Sequence, residues 1–317
     1  MIKTVLLLIG FVLLLVHLYI LPVEPNTQFM LFIAGIVLLG VPHGAADLLV
    51  AKRNADESEK LFSTKYFFII YLGRLALFAA VLFLFPVAGN LLFIFFAAYH
   101  FGETDLHQFK TDTLTGKLFV ISYGLLILSV ILMHHFDDVK PIYLLFESGK
   151  ENQGIINWFS QNRYYILAVN GTLFFAFTFI YFLKNRHSGN NDKGQFLVRF
   201  ALILFILFNL PMMLGFTFYF VIWHSLLSLH NIITYLRKKD TFSYKTITGQ
   251  ILFYSFLAIA GIGLFGLTGF MFVNENAVAG YIFLGLAVLT APHMGIMYEM
   301  YTAIRKKQDD RVSAAVG

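Results

Sequence analysis

Four histidines stand where histidine is costly. His43, His100, His224 and His293 each fall within a stretch apolar enough to cross a bilayer, and an ionisable side chain at that depth needs a partner or a function. Their surroundings are VPHGAADLL, YHFGETDL, WHSLLSLHN and APHMGIMYEMY. Carboxylates follow two of them at helical reach: Asp47 comes four residues after His43, and Glu103 three after His100. A histidine that ligates a metal through one nitrogen usually donates its other N–H to a carboxylate, so Asp47 and Glu103 are the acids expected to orient ligands within a reactive centre. His230 is a further candidate ligand. It stands six residues after His224, about 240° around a helix, so the two share a metal only with local distortion. The chain has no cysteine, which excludes disulfides, thiolate sites, iron–sulfur clusters and cysteine nucleophiles. A centre of neutral imidazoles suits iron, copper or zinc.

The elements that carry these residues must be membrane helices. Of 317 residues, 58% are hydrophobic and 13% charged, against roughly 25% charged in soluble domains, and no polar block is large enough for a separate soluble domain. The expectation is one integral membrane domain over 1–317, all-α, a polytopic bundle of about ten helices. The spans fall near Thr4–Ile20, Gln28–Ala51, Tyr66–Phe85, Leu91–Gln108, Lys117–Met133, Tyr164–Leu183, Gln195–Leu210, Gly215–Leu236, Thr248–Phe272 and Ala277–Ile304. Short turns at Pro86–Asn90 and Val273–Asn276 join two pairs, and the longest connection, His134 to Asn162, has room for an interfacial helix around Ile155–Phe159.

Basic residues sort the loops. Lys3, Lys52 and Arg53, Lys110 and Lys117, Lys184 and Arg186, Arg237 to Lys239, and Arg305 to Lys307 all fall on one side, whereas the other side holds Lys140, Lys150 and Arg163. The positive-inside rule then places both termini in the cytoplasm. The net charge of +5 reports orientation and lipid headgroups rather than nucleic acid. All four histidines lie on even-numbered spans that run inward, roughly 9 to 13 residues before the basic flank, a spread of about 6 Å at 1.5 Å per residue. They therefore share one layer in the inner half of the membrane. Arg74, alone within the third span, is read as snorkelling toward the interface, and His17, His107, His134, His135 and His187 as solvated residues near helix ends or in loops. The 37 phenylalanines and 16 tyrosines suit an apolar, flat ligand as well as a lipid-facing surface.

Residues alone leave three classes open: an oxygen-using metalloenzyme, a transporter whose histidines relay protons, and a bis-histidine haem cytochrome. The four motifs, in order from the second span to the tenth, resemble those of the Brp/Blh family of bacterial and archaeal membrane β-carotene dioxygenases. The resemblance implies a multi-pass protein of the cell inner (plasma) membrane that uses Fe(2+) and O2 to split the central double bond of β-carotene into two all-trans retinal molecules, with a retinal-binding rhodopsin as product acceptor. By motif, it implies His43, His100 and His224 as iron ligands. The family often has a second histidine four residues after the WHS histidine; that position is Ser228 here, which leaves the fourth ligand between His293, the favoured choice, and His230.

Overall fold

The computed structural model describes residues 2–145, 153–185, 193–237, 243–270 and 278–316. Among these the chain forms eleven helices and no strand: α1 Ile2–Ile20, α2 Pro25–Glu57, α3 Thr64–Leu84, α4 Pro86–Leu106, α5 Leu114–His134, α6 Phe136–Leu145, α7 Gln153–Lys184, α8 Lys193–Asn209, α9 Met212–Leu236, α10 Tyr244–Phe270 and α11 Val278–Val316. Six of them, α1, α2, α3, α5, α7 and α9, are long and apolar enough to cross a membrane. The protein is an all-α membrane bundle.

The helices begin and end where local chemistry asks. Pro86, expected in a turn, opens α4 as a first-turn proline, because its fixed φ suits that position and its missing N–H would have had no partner there. Thr113 and Ser63 accept backbone N–H groups at the starts of α5 and α3. The longest connection holds a short helix, α6, whereas Ile155–Phe159 belong to the first turns of α7. The expected turn Val273–Asn276 lies outside the described residues.

Packing divides into two main cores. The larger joins α1, α4, α5, α7, α8 and α9 around Phe119, Ile127, Phe174, Ile206 and Phe218. The second joins the C-terminal half of α2 to α9, α10 and α11 through Val50, Ile232, Ile247, Met297 and Tyr301. Helices α4 and α9 border the space between. The seat of α4 is fixed by small residues: a side chain on Gly124 of α5 would strike the Ala98 carbonyl, and one on Gly102 of α4 would strike the Val120 carbonyl. The two backbones touch directly, as membrane helices do where glycine permits it.

Several helices contain wider π-helical turns: Ile36–Gly40 in α2, Val130–His134 in α5 and Thr217–Ser225 in α9. Each such turn adds a residue to the helix and resets which side chains face inward. In α2 the Val41 N–H reaches back to the Ile36 carbonyl, just ahead of Pro42, which has no N–H to give. In α9 the hydroxyls of Thr217 and Ser225 donate to the carbonyls of Met213 and Phe220 at 2.7 and 2.8 Å, satisfying acceptors in a region without water.

Candidate metal centre

The four histidine segments converge. Helix α2 brings His43, α4 His100, α9 His224 and α11 His293, none more than 6% exposed. Their rings form a closed square. Centroids are 5.6 Å apart for His43 and His224, 4.8 Å for His224 and His100, 4.9 Å for His100 and His293, and 5.0 Å for His293 and His43. Adjacent rings meet edge to face, at 76–87°. One nitrogen from each of His43, His100 and His224 lies within 4.8 Å of the others. Metal–imidazole bonds of about 2 Å require nitrogens about 3–4 Å apart, a contraction that small side-chain rotations supply.

The donor set fits a metal. Both ring nitrogens of His100 and of His224, together with Nε2 of His293, are buried without a hydrogen-bond partner. Buried polar atoms are otherwise nearly always paired, so five unpaired imidazole nitrogens in one place mark a site built for a ligand that accepts lone pairs. The rings touch one another, which leaves no slot for a porphyrin plane between any adjacent pair.

Asp47 takes a different partner from the one its spacing suggests. Its Oδ1 accepts from His293 Nδ1 at 2.6 Å and its Oδ2 from the Tyr71 hydroxyl at 3.1 Å. The reason is local: α2 is interrupted at Ala46, with ψ near −8°, and a new helical segment starts at Asp47, so the four-residue interval no longer spans a regular turn. Asp47 turns to α11, and stands behind the fourth histidine rather than behind His43.

Glu103 touches no histidine. It is buried and accepts from the Arg305 guanidinium at 3.4 Å and from Tyr99 at 3.5 Å. Arg305, which the sequence places among the loop cations, is buried too and reaches on to Asp112 at 3.0 Å. A carboxylate at this depth needs a cation, and the C-terminal part of α11 provides it. Arg74 pairs with neither acid; its guanidinium rests beside Gly295, where a β-carbon would approach it to 3.0 Å.

His230 is outside the cluster and exposed. The π-helical stretch ends at Ser225, and the regular helix that follows carries His230 away from the face of His224. The histidines expected in water are half-buried: His107 Nδ1 lies 2.8 Å from the Thr104 carbonyl, His17 accepts from the Val23 N–H, and His134 stacks on Phe208. His187 lies outside the described residues.

Two features go beyond the candidate residues. Tyr71 comes from α3, a helix with no histidine. Asp105, two residues past Glu103, is buried and accepts on Oδ2 from Tyr123 at 2.6 Å, Trp223 at 2.9 Å and Tyr219 at 3.1 Å, while Lys3 donates to its backbone carbonyl. Its acidity within an apolar span was the available signal, masked by its nearness to the helix end. Aromatic rings border the cluster on the α9 side: Phe216, Phe220 and His224 stack in near-parallel planes, and Phe101 lies 4.7 Å from His224.

The family model for beta-carotene 15,15'-dioxygenase matches residues 34–301, a range that includes all four clustered histidines. The chain belongs to the beta-carotene 15,15'-dioxygenase family. Membership in this dioxygenase family makes it an oxidoreductase. A curated relative, the beta-carotene 15,15'-dioxygenase of an uncultured marine bacterium, 66A03, is 21% identical over 265 residues, covering 83% of this chain and 90% of the relative. No solved structure matches the chain. The match omits α1, the first turns of α2 and the end of α11.

Proposed function

We propose that this protein is a non-haem iron dioxygenase that cleaves β-carotene at its central double bond to two molecules of all-trans retinal, with Fe(2+) held by His43, His100, His224 and His293. The observation that carries the reading is the square of four buried imidazoles with unpaired nitrogens in a chain of this family. Ferrous iron supplies O2 binding and activation when bound there, chemistry that no side chain of this protein supplies.

The chain's own residues do the rest. Asp47 accepts a hydrogen bond from the Nδ1–H of His293 and so leaves Nε2 as the ligating atom. Glu103 acts at a distance, holding α4 to α11 through Arg305. The stacked Phe216 and Phe220 and the ring of Phe101 offer flat apolar faces against which a polyene can lie. Burial of the histidines excludes water, which protects an oxidation from side reactions. The substrate is a hydrocarbon that enters from lipid and the products are aldehydes that leave to it, with a retinal-binding rhodopsin as the acceptor. The spans and the loop charges support a multi-pass protein of the inner (plasma) membrane with both termini cytoplasmic.

The test is chelation and reconstitution. Purified protein stripped of metal should form no retinal from β-carotene in air, and added Fe(2+) should restore it. Full cleavage by iron-free protein would overturn the proposal.

A further inference from the structure

Helix α3 contributes no histidine, and its outer face is lined by exposed side chains such as Phe68, Ile69, Leu72 and Leu77. One side chain on it turns inward to the metal-centre network. The Tyr71 hydroxyl donates to Asp47 Oδ2 at 3.1 Å, while Oδ1 of the same carboxylate accepts from His293 Nδ1 at 2.6 Å; His293 Nε2 has no partner, and its ring lies 5.0 Å from that of His43. The tyrosine ring is half-buried, and Asp47 is 3% exposed.

We infer that Tyr71 is a positioning residue for the metal: it pins the Asp47 carboxylate so that His293 is held as the Nδ1–H tautomer with Nε2 presented to the iron. The inference rests on the iron reading above. A carboxylate anchored through one oxygen can still rotate about its Cβ–Cγ bond. Engaging the second oxygen from a different helix fixes its plane, and with it the plane of the imidazole it holds. Three helices thus build the fourth ligand arm, α3 through Tyr71, α2 through Asp47 and α11 through His293. Groups that orient a ligating histidine in this way typically change metal affinity by about 10- to 100-fold when removed. One such hydrogen bond falls at the lower end of that range. Tyr71 need not touch substrate, and its role is separable from packing because Tyr71→Phe keeps the ring beside Phe67, 5.5 Å away.

The experiment compares wild type, Tyr71→Phe and Phe67→Leu as full-length purified proteins. Iron release to a ferrous chelator is followed by absorbance, and the visible spectrum of the Co(II)-substituted protein reports ligand geometry. The expected result is release about 10-fold faster from Tyr71→Phe with a shifted Co(II) spectrum and an unchanged melting temperature, while Phe67→Leu behaves as wild type. Release and spectra in Tyr71→Phe identical to wild type would overturn the inference, and so would equal acceleration by Phe67→Leu, which would assign the effect to packing. Wild-type protein that binds no iron is a separate outcome: it overturns the iron reading, and this inference with it.

Discussion

Two buried polar clusters lie at the π-helical part of α9, and they differ in which of their groups are paired. On one side Asp105 takes the hydroxyls of Tyr123 and Tyr219 and the indole N–H of Trp223. On the other side His224, next in sequence to Trp223, joins His43, His100 and His293; both ring nitrogens of His100 and His224 and Nε2 of His293 have no protein partner, while Nδ1 of His293 bonds to Asp47. Both clusters are buried and both hold groups that are costly to remove from water. The difference is in what is satisfied. Around Asp105 every donor has an acceptor within the chain, as in a bolt between α4, α5 and α9. In the histidine square the lone pairs of His100, His224 and His293 meet no donor of the chain, as in a receptor for a cation.

The largest expected effect comes from breaking the square. His224→Ala should lower bound iron and retinal formation at least ~100-fold, more than the loss of a supporting group costs, while the protein still inserts and melts near wild type. Iron analysis and product chromatography on the same preparation check this. Next comes the ion pair below it. Glu103→Ala leaves the buried Arg305 with Asp112 as its remaining acid and should cost about 3 kcal/mol of stability, the lower end for a broken buried pair, read as a lowered midpoint in denaturant. Asp105→Leu, which removes the acceptor of three donors, should cost about 3 kcal/mol and leave iron per folded chain near wild type; iron loss with an unchanged melting curve would erase the contrast between the clusters. His230→Ala is the smallest. It should stay within about 0.5 kcal/mol of wild type, as a surface change does, with normal iron content.

The convergence of the histidines was legible because position can be counted along an apolar helix from its charged end, and four matched counts leave little freedom. Rotation about the helix axis was not legible. The π-helical turns in α2 and α9 and the break at Ala46 each reset which face a residue occupies, and hydropathy does not register them. That is why Asp47 was paired by spacing with His43 and yet bonds to His293. Tyr71 was silent for a different reason: one tyrosine among 16, on a lipid-facing helix, carries no local pattern. Arg305 and Lys3, which loop counting takes as orientation signals, are engaged inside the bundle with Glu103 and with the Asp105 carbonyl. Their charges serve contacts within the fold.

The central claim is that four imidazoles from α2, α4, α9 and α11 hold one iron. X-ray absorption at the iron edge of the purified protein tests it most directly. The account predicts one iron per chain with about four imidazole nitrogens at about 2 Å, the length of a metal–imidazole bond. An iron coordinated mainly by oxygen, with two imidazoles or fewer, would contradict it.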